Sequence, residues 1–391
     1  MKKICFIISN PNDIDYYINF LNILDNYHFD ILYNDFKDVW RKKIIKDFKK
    51  KFYKFNIKKL SSIYFLKKKY DILISTGDSP PANFLYLIMI KLNLNKIYYF
   101  VDKFIFKLDR KIRKIINVKL KQKEDFRQVD YFIGKKRFCF PRGYDLKPSY
   151  PGISRLQTFT NFLCHGEIHK EIILSNGNIP TKIIGYPRYD VKVDCVKIIQ
   201  SLKEEFNINN NKKIIFWLPS YRSAKVTNPD EGIDHWINEV KELTHSFNVI
   251  IRPHPERIAN FPQLLNKLKL NKMIVDLNST RSLVEIYKSV DYVMCELSGP
   301  YFSAIYNKTK ILVLDHHSKK DMHLKIKSIL NDNLKFYLAD EESIKKNKKT
   351  LKQYFEDCDF WLNQEKTTDK LYDIFYGKKK ISKDFDILNL N

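Results

Sequence analysis

The chain has 391 residues, which is enough for two domains of ordinary size. Hydrophobic residues at 44% and charged residues at 29% exclude a disordered or fibrous protein and predict a globular one. The net charge of +25 favours an anionic partner. Because Ile, Asn, Phe and Tyr are frequent alongside Lys while Gly is scarce, part of this charge reflects an AT-rich coding sequence. Anionic phospholipid, a diphosphate-linked lipid and nucleic acid all stay open as partners.

Cysteine usage and hydropathy indicate the cellular compartment. The six cysteines are scattered, mostly in apolar runs, and form no C-x-x-C pair, so we expect buried thiols in a reducing cytosol. The N-terminal apolar run at 4–8 is followed at once by a polar turn, which fits a first strand and not a signal peptide. No apolar run approaches the roughly 20 residues that span a bilayer. We expect a cytoplasmic protein, peripheral to the inner face of the cell membrane.

Apolar runs typical of buried strands alternate with helical patterns along the chain, which predicts an α/β fold with parallel sheets. In the first half, the strand candidates are 4–8, 29–33, 72–75, 97–101, 131–133, 159–164 and 182–184. In the second half, they are 213–218, 249–252, 273–275, 292–295 and 311–314. The helix candidates that we name are 80–92, 167–175, 232–244 and 300–306.

This pattern predicts two Rossmann-like domains facing one cleft, the GT-B architecture. We place an N-terminal acceptor domain at 1–188 and a C-terminal nucleotide-donor domain at 189–340. A helical tail at 341–391 is expected to pack back on the first domain. A dinucleotide dehydrogenase is excluded because the chain contains no G-x-G-x-x-G segment.

Polar segments follow four predicted strands of the second half, where each strand ends. In Arg252-Pro253-His254-Pro255, two prolines fix φ on either side of the imidazole and stiffen the loop. The other segments lie at 218–222, 296–300 and 315–317. Because the carboxyl ends of parallel strands meet at one edge, these segments predict a shared site. An Arg beside a His and a helix start at 298–300 suit a diphosphate. Taken singly, each segment also fits a solvated turn or helix cap.

The order of these segments resembles the CDP-glycerol glycerophosphotransferase family, the teichoic-acid polymerases. That family shows G-x-P-R-x-D, a P-T-W-R-like segment, R-P-H-P and a D-Y-S-S-like segment in this order. Their counterparts here are Gly-Tyr-Pro-Arg-Tyr-Asp at 185–190, Leu-Pro-Ser-Tyr-Arg at 218–222, Arg-Pro-His-Pro at 252–255 and Cys-Glu-Leu-Ser-Gly at 295–299. The resemblance covers about 130 residues and implies a GT-B transferase acting at the membrane face.

The resemblance also implies roles for individual residues. Four are expected to contact the donor diphosphate, namely Arg222, His254, Ser298 and Gly299. The guanidinium of Arg252 suits the same anion. Further candidates from the same segments are Arg188, Ser220 and Glu296. The chain departs from the family pattern where Glu296 and the Ser298-Gly299 pair replace an Asp and paired serines.

The identity of the general base stays open. The family shows H-G-x-x-x-K in its first domain, with the His as the expected base, and His165 to Lys170 match that spacing. The match lies about 20 residues before Arg188, closer than in the family, so it also fits a strand-to-helix turn capped by Gly166. Asp78, in a polar loop after the strand at 72–75, is the next candidate base and also fits a Pro-terminated turn.

We expect neither a metal nor another cofactor. Asp13-Ile14-Asp15 is formally a D-x-D motif, but it opens a helix, where acidic residues are favoured anyway. His316 and His317 are adjacent, so their side chains diverge on most backbones. Positive side chains and helix starts are expected to neutralise the leaving phosphate instead.

The sequence therefore predicts a transferase of cell-surface polymer synthesis. It would move glycerol phosphate, or a similar polyol phosphate, from a CDP-linked donor to a membrane-associated glycan or lipid-linked acceptor. One alternative is a GT-B glycosyltransferase that uses a nucleotide sugar for capsule or lipooligosaccharide. An alternative of another class is a non-enzymatic nucleic-acid-binding protein, supported by interleaved lysines and aromatics at 49–59.

Overall fold

The structure is a computed structural model that describes the greater part of the chain. The described residues are 2–10, 13–23, 28–34, 39–51, 53, 55–60, 70–77, 130–144, 153–209, 211–219, 231–254, 257–258, 261–278, 281–314 and 323–377. Within them the chain forms two separate parallel β-sheets, one of seven and one of six strands. This arrangement confirms the predicted α/β class.

The first sheet is built from the first half of the chain. Its strands are β1 (Ile4–Ile8), β2 (Phe29–Tyr33), β3 (Asn56–Lys59), β4 (Tyr70–Ser75), β5 (Gly134–Cys139), β6 (Asn161–Cys164) and β7 (Thr181–Ile183). Their order is β3-β2-β1-β4-β5-β6-β7, and all neighbours are parallel. All five residues of β1 are buried, as expected for a strand covered on both faces.

The second sheet repeats this organisation. Its strands are β8 (Ile214–Leu218), β9 (Asn248–Ile251), β10 (Ile274–Val275), β11 (Tyr292–Glu296), β12 (Ile311–Leu314) and β13 (Leu338–Ala339). Their order is β10-β9-β8-β11-β12-β13, again with all neighbours parallel. Every residue of β8, β9, β11 and β12 is buried, so these four strands form the centre of the second core.

Helices connect the strands of both sheets. Those of the first half are α1 (Asp13–Ile23), α2 (Val39–Lys51), α3 (Asp130–Ile133), α4 (Ile153–Thr158) and α5 (Glu167–Leu174). A 3₁₀ turn, Pro187–Tyr189, leads into the second half. There the helices are α6 (Cys195–Phe206), α7 (Glu231–Leu243), α8 (Gln263–Leu270), α9 (Leu283–Ser289), α10 (Gly299–Asn307), α11 (Leu324–Asn333), α12 (Glu341–Lys345), α13 (Leu351–Glu356) and α14 (Cys358–Phe375).

Helix α14 returns from the second sheet to the first half of the chain. The Tyr144 hydroxyl donates a hydrogen bond to the carbonyl of Phe375, at the end of α14. The Tyr376 hydroxyl donates to the carbonyl of Phe302 in α10 at 2.8 Å. Gly166 lies so close that a Cβ there would be 2.1 Å from the Phe375 carbonyl oxygen. The end of α14 therefore lies between α5 and α10.

Most predicted elements that fall within the described residues agree with the structure; one is wrong, and two strands were missed. Residues 131–133 belong to helix α3, and the strand begins one residue later at Gly134. The sequence of β5 is polar because Lys135, Lys136 and Arg137 lie in it, yet the Arg137 guanidinium is buried and donates hydrogen bonds to the carbonyl oxygens of Thr158, Gly134 and Lys135. The sequence also missed the edge strands β3, which is Lys-rich, and β13, which has two residues. The predicted elements at 80–92 and 97–101 lie outside the described residues.

None of the six cysteines is in a disulfide; four of them are buried, Cys195 is half-buried and Cys358 is exposed. Over the part of the chain that the structure describes, no helix is both long and apolar enough to cross a membrane.

Candidate functional site

The register of the second sheet brings three predicted segments to one edge. Leu218 pairs with Cys295 on one side, and the N–H of Arg252 donates to the carbonyl of Trp217 at 2.9 Å on the other. The segments that follow β8, β9 and β11 therefore leave the sheet in one row, at its carboxyl edge. Neighbouring strands lie about 4.8 Å apart, so the segments after β9 and β11, separated by β8, start about 10 Å from each other.

Arg252 lies next to Asp276, a buried carboxylate just after β10 that also contacts Arg281. Its Nη1 lies 3.8 Å from the Oδ2 of Asp276, which is buried and accepts a hydrogen bond from Arg281 Nε at 3.1 Å. Nη1 is itself buried and has no hydrogen-bond partner among the described residues. Burial lowers the pKa of the Arg252 guanidinium, while Asp276 and Asp15 act in the opposite direction. Arg252 thus keeps one buried donor for an anion.

His254 is fixed through its backbone. Its carbonyl accepts hydrogen bonds from the N–H groups of Arg257 at 2.8 Å and Ile258 at 3.4 Å, so a helical turn starts at this residue. Pro253 before it is buried, whereas His254 itself is half-buried. His254 therefore lies, half-buried, at the start of a helical turn at the carboxyl edge of the second sheet.

The start of α10 lies at the same edge. Ser298 occupies the N-cap position, but its hydroxyl donates to the carbonyl of Glu296 at 3.0 Å and does not cap the helix. Gly299 is exposed, and a Cβ there would meet no atom of the described residues within 4 Å. Because α10 begins at Gly299, Pro300 occupies its second position. An exposed helix start can accept an anion.

Glu296 points away from this opening, toward α7. It is buried, and its Oε1 lies 2.7 Å from the place where a Cβ on Gly232 would sit. Gly232 belongs to the first turn of α7, where the positive end of the helix dipole stabilises a carboxylate. Glu296 thus closes the contact between β11 and α7, and a Cβ on Gly232 would require its carboxylate to shift.

Three further predicted site residues lie outside the described residues: Asp78, Ser220 and Arg222. The Asp-His-His segment at 315–317 lies outside them as well.

Arg188 lies in the segment that passes from the first sheet to the second. Gly185, with φ +72°, starts the turn, since side chains rarely adopt this backbone conformation. Arg188 Nη2 donates to Asp15 Oδ2 at 3.0 Å, and its guanidinium lies 4.6 Å from the Tyr16 ring centroid. Asn19 donates to the carbonyls of Pro187 at 2.8 Å and Asp190 at 2.7 Å. The segment is therefore fastened to α1.

His165 follows β6 and is completely buried. Its Nδ1–H donates to the carbonyl of Gly185 at 2.9 Å, and its Nε2 has no hydrogen-bond partner among the described residues. The ring centroid is 4.0 Å from that of Tyr186 and 5.2 Å from that of His169. Burial lowers the pKa of His165 to about 4, so the imidazole is neutral at physiological pH. This tautomer leaves Nε2 as an acceptor, as a base requires, while the packing also fits a buried strand-to-helix turn.

The carboxyl edge of the first sheet carries a cluster that the sequence did not reveal. The Asp13 carboxylate accepts from the N–H groups of Ser9 and Asn10, both at 2.9 Å, and from the Thr76 hydroxyl at 3.1 Å. Arg142 completes it, with Nε at 3.1 Å and Nη2 at 2.8 Å from Asp13 Oδ1. The only local signals were a helix-opening Asp and an Arg in a loop after a strand.

Asp13 therefore occupies the place where a Rossmann domain binds a nucleotide phosphate. That place is the turn after the first strand, whose N–H groups and helix start hold the anion. Here the carboxylate of Asp13 takes the N–H groups of Ser9 and Asn10. Asp15 is engaged by Arg188, so the formal D-x-D motif serves structural contacts. Within the described residues, no group of three or more His, Cys, Asp or Glu could hold a metal ion.

Two parallel β-sheets with connecting helices, and a C-terminal helix that returns to the first half, are the arrangement of GT-B proteins. Solved structures of the same fold support this class. The wall teichoic acid polymerase TagF, in a variant soaked with CDPG, aligns with a TM-score of 0.56 and 15% identity over 97% of this chain and 84% of TagF. S. aureus MnaA with UDP aligns with a TM-score of 0.52 and 10% identity over 99% of this chain and all of MnaA. At these identities the likeness establishes the fold.

Sequence comparison defines the resemblance more closely. The model of the CDP-Glycerol:Poly(glycerophosphate) glycerophosphotransferase family matches residues 175–308. This range contains Arg188, Arg252, His254 and the start of α10, and it confirms the resemblance inferred from the motifs. No curated protein sequence matches the chain. The family match supports a transferase of cell-wall polymer synthesis.

Proposed function

We propose that this protein transfers glycerol phosphate, or a similar polyol phosphate, from a CDP-linked donor to an acceptor hydroxyl. The observation that carries the proposal is the family match over 175–308, which ends just past the helix that starts at the second-sheet edge. The wall teichoic acid polymerase TagF, solved with CDPG, supports a CDP-linked donor.

The donor diphosphate binds at the carboxyl edge of the second sheet. His254 and the N–H groups of Ser298 and Gly299 flank it, and the buried Nη1 of Arg252 adds a cationic donor. Ser220 and Arg222, which follow β8 in the sequence and lie outside the described residues, are proposed as further donors. Such preorganised donors stabilise charge that develops on the leaving phosphate.

The acceptor hydroxyl attacks the phosphorus that bears the glycerol, and CMP leaves. His165 takes the proton, because its Nδ1–H is fixed on Gly185 and its neutral Nε2 has no hydrogen-bond partner among the described residues. The His165→Ala variant should lose transfer while it still binds CDP-glycerol, since the base acts on the acceptor. Turnover near that of the wild type would exclude His165 and direct the search to Asp78.

We also propose that the protein works at the inner face of the cell membrane. Its net charge of +25 would attract anionic lipid. Sedimentation with anionic vesicles should fall as salt rises, because exposed charges are screened within about 10 Å at 0.1 M salt. Equal binding to neutral vesicles would argue against this attraction.

A second candidate function is glycosyl transfer from a nucleotide sugar. It is favoured by the departure from the family pattern at Glu296, which faces α7 and not the opening. It is also favoured by Anabaena HepE, solved with UDP and glucose, which aligns with a TM-score of 0.50 and 10% identity over 96% of each chain.

A donor screen distinguishes the two functions. Purified protein is incubated with a membrane extract as acceptor and with CDP-glycerol, UDP-sugars or GDP-sugars, and the released nucleotide is identified by chromatography. Our proposal predicts acceptor-dependent release of CMP. Release of UDP or GDP would reject phosphotransfer and favour the second function.

A further inference from the structure

A cavity lies at the amino edge of the second sheet, opposite the candidate donor site. Its volume is about 470 Å³, and it is lined by 189–192 of the segment between the sheets, Lys288 of α9, 306–308 of α10 and Tyr372 of α14. We propose that this cavity binds a nucleoside monophosphate. The site is separate from the donor site, and binding there does not depend on the proposed function.

The ends of two helices place the cavity at this edge. α9 ends at Ser289, just before β11, and α10 ends at Asn307, just before β12. Because each helix leads into a parallel strand, these helix ends lie where the strands begin. The start of α10, which we assign to the donor diphosphate, lies at the other edge, and a helix of nine residues is about 13 Å long. The cavity is therefore distinct from the donor site.

Tyrosine rings form one wall of the cavity. Adjacent ring centroids are 5.9 Å apart for Tyr189 and Tyr306, and 5.5 Å apart for Tyr306 and Tyr372. Tyr189 and Tyr306 are buried, whereas Tyr372 is half-buried. Nucleobases stack on tyrosine rings, and every base has a ring face that allows this contact. The wall therefore suits the base of a nucleotide.

The lining carries more positive than negative charge. Three amines, those of Lys192, Lys288 and Lys308, accompany one carboxylate, that of Asp190. Lys192 is exposed and makes no ion pair with another described residue. Lys308 pairs with Asp369 at 2.6 Å, but both side chains are 57% exposed, and an exposed pair contributes little to stability. Lys192 and Lys308 can therefore hold a phosphate through charge-assisted hydrogen bonds.

One small molecule can reach the ring and the cation together. Lys308 Nζ lies 5.5 Å from the centroid of the Tyr372 ring. Sites for small molecules measure roughly 300–1,000 Å³, so the cavity has room for one such ligand. A nucleoside monophosphate carries a planar base at one end and a phosphate at the other. Inorganic phosphate would not use the ring, and a neutral nucleoside would not use the amines.

The cavity joins segments that connect the two halves of the chain. The Tyr306 hydroxyl of α10 donates to Asp190 Oδ1 at 2.6 Å, and Lys288 Nζ donates to the Val191 carbonyl at 2.5 Å. Both acceptors belong to the segment between the sheets, and Tyr372 adds the helix that returns to the first half. A bound nucleotide would contact α10, α14 and this segment at once, so it should slow their local opening.

The first test divides the ligand into its two parts. Calorimetry measures AMP, adenosine and ribose 5-phosphate on the wild type, and we expect AMP to bind at least about 10-fold more tightly than either fragment. Lys192→Gln and Lys308→Gln should each weaken AMP about 10-fold and leave adenosine unchanged. Lys269→Gln is the matched control, because Lys269 on α8 is equally exposed and does not line the cavity. It should bind AMP as the wild type does.

The second test concerns the aromatic wall. Tyr372→Leu should weaken AMP about 10-fold and leave ribose 5-phosphate unchanged, because only the base loses its contact. Tyr372→Phe keeps the ring and should bind AMP like the wild type. If Tyr372→Leu does not fold, the two lysine variants decide, since both replace exposed side chains.

Amide hydrogen exchange locates the bound nucleotide. AMP should protect the ends of α10 and α14, at 304–309 and 369–376. Protection confined to 252–254 and 298–300 would place AMP at the donor edge and overturn the proposal. Equal weakening in Lys269→Gln, adenosine binding as tight as AMP, or no AMP binding to the wild type would also overturn it. A donor screen without CMP release would reject the proposed function and leave this result unchanged, since AMP binding needs neither donor nor acceptor.

Discussion

Replacing Gly166 with alanine should detach the end of α14 from the first half of the chain. Gly166 has an extended backbone with φ −168°, which any residue can adopt, so conformational strain is not the reason for glycine here. The reason is space, because a Cβ would lie 2.1 Å from the carbonyl oxygen of Phe375, and real Cβ atoms essentially never approach closer than 3.0 Å. One of the two backbones has to move by about 1 Å.

The expected cost follows from these contacts. Overpacking a tightly packed contact costs about 1–3 kcal/mol. The shift also breaks the hydrogen bond from Tyr144 to Phe375, which contributes about 1 kcal/mol. We therefore expect Gly166→Ala to lower the free energy of unfolding by about 3 kcal/mol, as measured by urea denaturation. Amide hydrogen exchange should accelerate in the last turn of α14.

Gly299→Ala is the matched control, because a Cβ at that position meets no atom within 4 Å in the part of the chain that the structure describes. Its stability should stay within about 1 kcal/mol of the wild type. If Gly166→Ala is as stable as Gly299→Ala and hydrogen exchange in α14 is unchanged, the close contact between Gly166 and Phe375 does not contribute to stability as we expect.

Three further variants or conditions have defined outcomes. Because folding lowers the pKa of His165 from 6.5 to about 4, the unfolded chain binds the proton first, so stability falls with pH below 6.5. Between pH 7 and pH 5, the free energy of unfolding should fall by about 2 kcal/mol more in the wild type than in His165→Asn. An equal fall in both proteins would contradict this. His254→Ala should lower kcat by about 100-fold or more with unchanged thermal unfolding, and a smaller loss in steady-state kinetics would remove His254 from the site. Asn19→Ala removes the side-chain amide that donates to the carbonyls of Pro187 and Asp190 and should cost about 2 kcal/mol in urea, whereas the exposed Asn176→Ala should cost little; equal costs would refute the role of Asn19.

The second sheet could be predicted from sequence because its strands are short apolar runs buried on both faces. The first sheet was harder, since β3 and β5 carry lysines and an arginine where a buried strand would be expected to be apolar. Strand pairing and carbonyl hydrogen bonds override the local polarity there.

The candidate site, too, could be predicted from the sequence only in part. The segments after β8, β9 and β11 could be predicted to meet, because parallel strands bring their ends to one edge. The contact of Asp13 with Arg142 spans 129 positions and has no local signature. The burial of His165 depends on Tyr376, which a helix brings back from the far end of the chain. Such contacts arise from tertiary packing, which neither spacing nor periodicity records.

The most direct test of the central claim is a crystal structure of the protein with CDP-glycerol bound. We predict that diphosphate oxygens lie within hydrogen-bond distance of the His254 imidazole and of the N–H groups of Ser298 or Gly299. A diphosphate bound instead at the turn after β1, with Asp13 displaced from Ser9 and Asn10, would contradict the assignment of the second sheet to the donor.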